Sequence, residues 1–312
     1  MVIRPVDHGI FASSAGGAVP AGYFCAGYNG HASGLYSTVD KFQFSDDSRT
    51  TLATGTSTAK RYLAANASQV AGYCGGGGNY SAIATVDRFL FADDSRTTLG
   101  TGLSVARTEP AGMASTVAGY FGGGTTGTYS DVVDRSLFAD DTPAALGTGL
   151  STIRNSLAAM ASPVAGYFAG GYFTGRVDIV NRFLFADDTR TTLGTGLSSG
   201  KNHPAGMASS VAGYVGGGRN DAVGWSDTVD RFLFSNDSRT TLGTGLAIPT
   251  NYLAAMASTT AGYFGGGGDT TASPPCITNV DRFLFSNDSR TTLGTGLSVA
   301  RQDLAGMAYT GV

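Results

Sequence analysis

The sequence predicts an all-β protein: a six-bladed β-propeller with four antiparallel strands per blade, its C-terminal strand closing blade one. Three observations predict this. A unit of 47–50 residues occurs six times, marked by "AGY" at Ala21, Ala71, Ala118, Ala165, Ala212 and Ala261; such a period belongs to propeller blades or large solenoid repeats. Glycine supplies 47 of 312 residues, and Glu109 is the only glutamate among the acids; both biases favour turns over helices. No stretch carries a helical apolar stripe, whereas "VDRFLF" from Val229 alternates strictly. Its large apolar groups on both faces suit a sheet sandwiched between sheets.

Each unit divides into four pieces. The first, "LAGMAS", is small-residue rich, as strands nearest a propeller axis must be. The second, "VAGYFGGG", invites comparison with a phosphate loop. That function needs a following helix N-terminus, and here variable, strand-like sequence follows instead, six times over. The third is "TVDRFLFADDS", whose "DDS" or "NDS" end supplies Asx-turn chemistry. The fourth is "TTLGTGLS". Six first-strand copies lie between Leu63 and Thr310, and six of each other strand start from Ala21. The last first-strand copy, Leu304–Gly311, must therefore join blade one. Residues 1–18 are then an N-terminal extension, and 19–312 form the propeller. In the alternative count, Ile10–Ser14 is blade one's own first strand and the C-terminus begins a seventh blade.

The glycines at Gly122–Gly124, the aromatics Phe232 and Phe234, and the basic residue before each first strand (Lys60, Arg107, Arg154, Lys201, Arg301) resemble Kelch repeats. Thr250 breaks the basic position. The Kelch tryptophan of the fourth strand is replaced by leucine, as at Leu99 and Leu242. The repeat wording also resembles tandem repeats encoded by tailed phages, especially those of marine cyanobacteria. That resemblance implies a virion protein made in the host cytoplasm.

Composition narrows the function. A net charge of -3 supplies no basic field for nucleic acid. No run approaches the ~18–20 apolar residues that would cross a bilayer, and "MVIRPVDHGIFASSAGGAVP" lacks the apolar core of a signal peptide. Cys25 and Cys74 lie one register apart in neighbouring repeats, which puts their side chains on opposite strand faces, so no disulfide is expected. His8, His31 and His203 have no partners at metal spacing. Glu109 stands alone, and no nucleophile elbow occurs. No cofactor, metal or enzyme activity is expected. The repeated strand acids (Asp40, Asp87, Asp134, Asp230, Asp281, with Asn181 in the fourth unit) are expected to meet a basic residue or an amide, and both acids of "DDS" to make turns.

Comparing copies locates the candidate site. The 1–2 and 3–4 turns share one face and barely vary; the 2–3 and 4–1 loops share the other and vary strongly. Variable loops on a constant scaffold are where binding residues concentrate. They carry Tyr36, Tyr80, Tyr129, Phe173, Arg176, Arg219, Trp225 and Asp227, with Tyr62, His203, Tyr252 and Asp303 from the 4–1 loops. Aromatic faces beside hydrogen-bonding groups suit a protein or a sugar ring. The expectation is a non-enzymatic recognition protein of a phage virion or tail, contacting a host-surface glycan or protein and other virion proteins. The alternatives are a structural virion decoration or hub and, third, a carbohydrate-active enzyme.

Overall fold

In a computed structural model, residues 19–31, 34–79, 81–269 and 275–310 are described; the expected 1–18 extension and Tyr80 lie outside them. Among the described residues there is no helix. The strands form six four-stranded antiparallel sheets and one small three-stranded sheet of Lys201–Asn202, Arg219–Asn220 and Gly224–Trp225. The second sheet is typical: Ala64–Ala67, Ala71–Gly75, Val86–Leu90 and Arg96–Thr98 in spatial order. In the first sheet the innermost strand is Ala305–Tyr309, paired antiparallel to Ala21–Tyr28 with Ala21 opposite Tyr309 and Cys25 opposite Ala305. Both ends of the described chain thus share one sheet.

The fourth strand is shorter than the sequence predicts. It covers only Arg96–Thr98 in the second repeat, and "LGTGLS" runs on without strand structure. That segment passes across the third-strand approach: the Leu103 amide donates to Ala84 at 2.8 Å. A Cβ on Gly102 would meet the Ala84 carbonyl at 2.2 Å, so the close crossing requires glycine.

Neighbouring sheets are joined in four ways. On the face of the 3–4 turns, five of the six "AGY" tyrosines donate to the second acid of the next repeat's turn, as in Tyr23–Asp94 at 2.8 Å and Tyr120–Asp188 at 3.0 Å. The cation of "VDR" reaches the same carboxylate: Lys41–Asp94 at 2.8 Å and Arg88–Asp141 at 2.5 Å. The pattern runs around the molecule and ends with Tyr263 and Arg282 on Asp47 of the first sheet. The first acid alone makes the Asx turn, Asp46 accepting from the Ser48 amide at 3.0 Å. Reading both acids as turn formers was therefore half right, because only one carboxylate can face the turn while the other faces the neighbouring sheet.

The second junction is buried. The basic residue on the segment entering each sheet meets that sheet's third-strand acid. Arg107–Asp134 are 2.6 Å apart, Arg301–Asp40 3.0 Å and Lys60–Asp87 3.2 Å, all with side chains fully enclosed. Burial by itself would raise the Asp40 and Asp87 carboxyls, but the facing cations and the serine and threonine donors outweigh it and hold both below the usual range. Two repeats deviate. Arg154 faces the neutral Asn181 at 3.0 Å, and burial, with the charge of Arg190, pushes it down to about 10. Asp281 faces the buried Thr250 position with no cation there, and its nearest cation is Arg290 at 3.8 Å. Arg96 and Arg239 likewise bend toward the strand acids at 3.4 Å.

Third, the doublet after the second strand has both residues in the left-handed region, for instance Gly123 (φ 69°) and Gly124 (φ 101°). This turns the Gly124 amide onto the Arg154 carbonyl of the next sheet's entry at 2.9 Å.

Fourth, apolar shapes interlock. A Cβ on Gly122 would lie 2.5 Å from the Phe168 ring of the next sheet, and one on Gly265 would lie 2.5 Å from Phe24. Where the glycine is Ala169 its partner shrinks to Val215, and both lie in one cluster. Where it is Cys25 the partner is Cys74. The two cysteines do occupy opposite strand faces, but opposite faces of adjacent sheets are the ones that touch. They remain free thiols, and contact with Cys74 together with burial pushes Cys25 well up.

Two stability outcomes follow. Asn181→Asp, which restores the carboxylate opposite Arg154, should raise unfolding free energy at neutral pH by roughly 1–3 kcal/mol. The gain should vanish as pH falls below about 4 and the new carboxyl protonates; urea midpoints across pH measure it. Gly122→Ala should cost roughly 1–3 kcal/mol by overpacking against Phe168. Combined with Phe168→Val it should cost less than the sum of the two single changes, by about 1 kcal/mol of coupling in a double-mutant cycle.

Candidate functional site

One position per repeat, just before the innermost strand, converges on the axis: Tyr62, Glu109, Ser156, His203, Tyr252 and Asp303. All six are left-handed, with φ between 53° and 59°. That conformation costs an L-residue of order 1 kcal/mol that glycine avoids. In a chain with 47 glycines, none stands here. The conformation aims each amide at the carbonyl of the preceding axial residue, at 2.7–3.2 Å, and the Tyr62 amide returns to Asp303. Six peptide groups thereby close a circle, and only side chains are left to face the opening.

Beneath the circle lies a cavity of about 120 Å³, walled by these six residues and by alanines and glycines of the inner strands. It has room for several waters or a small organic head group. On one side Glu109 Oε2 accepts from Asn155 Nδ2 at 2.6 Å and from the Ser156 hydroxyl, with His203 Nε2 at 3.5 Å. Burial opposes ionisation of Glu109, but the His203 imidazole and the Ser156 hydroxyl outweigh it and hold the carboxyl below its ordinary value. On the other side Asp303, flanked by Tyr62 and Tyr252 with ring centroids 6.2 Å apart, is 5% exposed. Neither of its carboxyl oxygens accepts a hydrogen bond. The nearest cation is Arg61 at 4.0 Å, and its guanidinium stacks on Tyr28 and Tyr62 at 4.5 and 4.6 Å. Burial pushes Asp303 well above its ordinary value; Arg61 opposes this and the Glu109 charge adds to it. Burial and then the Asp303 charge push the Tyr252 phenol up to about 12.

Around this opening stands a crown. In each repeat the 2–3 loop folds back onto the entering segment through short bridges: Thr108 to Thr125 to Tyr129, Asn155 to Tyr172 to Arg176, and Asn251 to Gly268 to Cys276. Of the residues the sequence singles out, Tyr62, His203, Tyr252 and Asp303 line the cavity, and the His203 ring lies 3.8 Å from that of Tyr252. The others stay on the crown. Tyr129 packs edge-on to Tyr172 and Phe173 at 6.0 and 5.9 Å. Arg176 binds Asn202 at 3.0 Å and pairs with Asp221. Arg219 and Trp225 border a shallow depression with Val223 and Pro249. Tyr36 accepts from Asn29 at 3.2 Å, and Asp227 is exposed. Glu109 and Ser156 were missed, since alone each is unremarkable. Aligned on the residue before Leu or Pro of the first strand, the position is visibly the most varied in an otherwise constant stretch.

The chain is similar to the solved structure of YjhT, at a TM-score of 0.70 and 13% identity, covering 84% of this chain and 93% of that one. The fold is a β-propeller. No family model matches the chain, and no curated protein does. No helix among the described residues is long and apolar enough to cross a membrane.

Asp303→Asn tests the site's cost. A carboxyl raised on folding favours the native state below its unfolded value of about 3.9, and that contribution is lost as pH climbs toward the folded value. The variant should match the parent near pH 4 and be more stable by roughly 1–3 kcal/mol near pH 7, as read from melting temperatures across pH.

Proposed function

We propose that this chain is a six-bladed, Kelch-like propeller that serves as a non-enzymatic recognition module. It would sit on a phage particle and contact a host-surface glycan or protein through its crown. The observation that carries the reading is the crown itself. Loops that differ in every repeat are bridged at their bases onto a constant scaffold, so diverse aromatic and hydrogen-bonding groups are held in place at little entropic cost. Trp225 and Arg219 at their open depression offer a stacking face beside a donor. The circle of six axial peptides supports the six-fold count.

Binding fits the axial groups better than hydrolysis does. Ser156 and His203 both approach the same oxygen of Glu109. The imidazole therefore does not stand between hydroxyl and acid, as a nucleophile relay requires.

The structural alternative, a virion decoration or hub, draws on the opposite face. There Val70, Val117, Val164 and Val211, at equivalent turn positions, are 63–69% exposed, and such apolar groups suit attachment to a carrier. The two readings separate on a glycan array. Retention of specific glycans, weakened about tenfold or more by Trp225→Ala and less by the locally packed Tyr129→Ala, supports recognition. A particle in which the crown is buried against other virion subunits would overturn it.

A further inference from the structure

We propose that the axial cavity binds a small ligand through a primary ammonium group, seated at Asp303 between the rings of Tyr62 and Tyr252 with Glu109 across the opening. The inference concerns the cavity and not the crown, and it holds or fails independently of what the crown loops contact.

The cavity's polar offer is unusual in what it lacks. The N–H and carbonyl groups of the six axial residues are consumed in their own circle, so these offer nothing to a ligand. No lysine or arginine lines it. Arg61, the nearest guanidinium, is stacked on two tyrosine rings. What remains are two carboxyls, two phenols, one hydroxyl and one imidazole. An anion would find no opposite charge. For a divalent cation, among the described residues no three His, Cys, Asp or Glu side chains gather to hold a metal.

An ammonium meets each open valence. Asp303 presents two enclosed oxygens that accept nothing, and a carboxylate–ammonium contact is a charge-assisted hydrogen bond. The Tyr62 ring shows the cation affinity of such a face, carrying the Arg61 guanidinium at 4.6 Å. Groups facing Asp303 are Arg61, Glu109, Tyr62, Tyr252 and Cys276; only Arg61 competes with the ligand for it. The volume admits the ammonium and the first carbons, and the rest of the ligand would leave through the crown. Six left-handed side chains where glycine would be cheaper, and an unsatisfied acid that the fold does not use, are what a retained binding site looks like.

Binding has a proton signature. The ammonium arrives charged and favours the ionised form of the Asp303 carboxyl, which burial raises, so a proton held there leaves to solvent. Titration calorimetry of the whole chain at neutral pH with butylammonium, butanol and butyrate tests this. Expected is butylammonium binding at about 10 mM or tighter, with the neutral and anionic probes about tenfold weaker or undetected. Repeating it in buffers of different ionisation heat should show net proton release. Asp303→Asn, shown folded by its melting curve, should lose about tenfold in butylammonium affinity and lose the proton release. Equal binding of butanol, no butylammonium binding, no proton release from the parent chain, or undiminished binding by Asp303→Asn would each overturn the proposal. The proton measurement needs no variant, so it decides the matter even if the substitution impairs folding.

Discussion

The hydrogen bond from each axial amide to the carbonyl of the preceding axial residue makes a circle of six peptides, and the width of that circle sets how near the sheets must stand. Inner strands can then hold little beyond alanine, glycine and one methionine. One strand outward, glycine must face phenylalanine of the next sheet, or a matched smaller pair must replace them. Where the sheets splay apart, contact is kept by long reach instead: tyrosine and arginine extend to a carboxylate on the next turn. The buried residue two positions before each axial one, a cation paired with a strand acid in four of the six repeats, anchors the entering segment. The left-handed conformation of the axial residues in turn gives the cavity its six side chains.

Much of this was legible because the chain carries six versions of itself. Strand order, the two faces and the joining of the C-terminal strand to Ala21–Tyr28 follow from repeat counting. The strand acids were expected to meet a basic residue or an amide, but that the partner is the cation of the entering segment could not be read from co-occurrence, because Asn181 faces an intact Arg154 and Thr250 an intact Asp281. The division of labour in the turns was also present in the letters: the first acid drifts to Asn236 and Asn287, whereas Asp47, Asp94, Asp141, Asp188, Asp237 and Asp288 never change. An Asx turn accepts either residue, but an inter-sheet ion pair needs the charge.

What the letters could not give was proximity across the axis. Glu109, Ser156, His203 and Asp303 are one or two repeats apart in sequence, and each has a bland local reading. Their meaning comes from a backbone angle and from the absence of hydrogen bonds at Asp303, neither of which residue type dictates. The cysteines show the same gap. Their strand faces were read correctly, yet contact depends on which sheet each face addresses.

Asp303 lies immediately before Ala305–Tyr309, the strand that completes the first sheet. The segment that shuts the ring is thus also the one that furnishes the cavity's buried acid. During synthesis from the N-terminus, a chain that has emerged through five repeats holds most of the crown but has neither. The pocket and the closed ring are finished in the same event, so occupancy of the axis would report that the ring has shut.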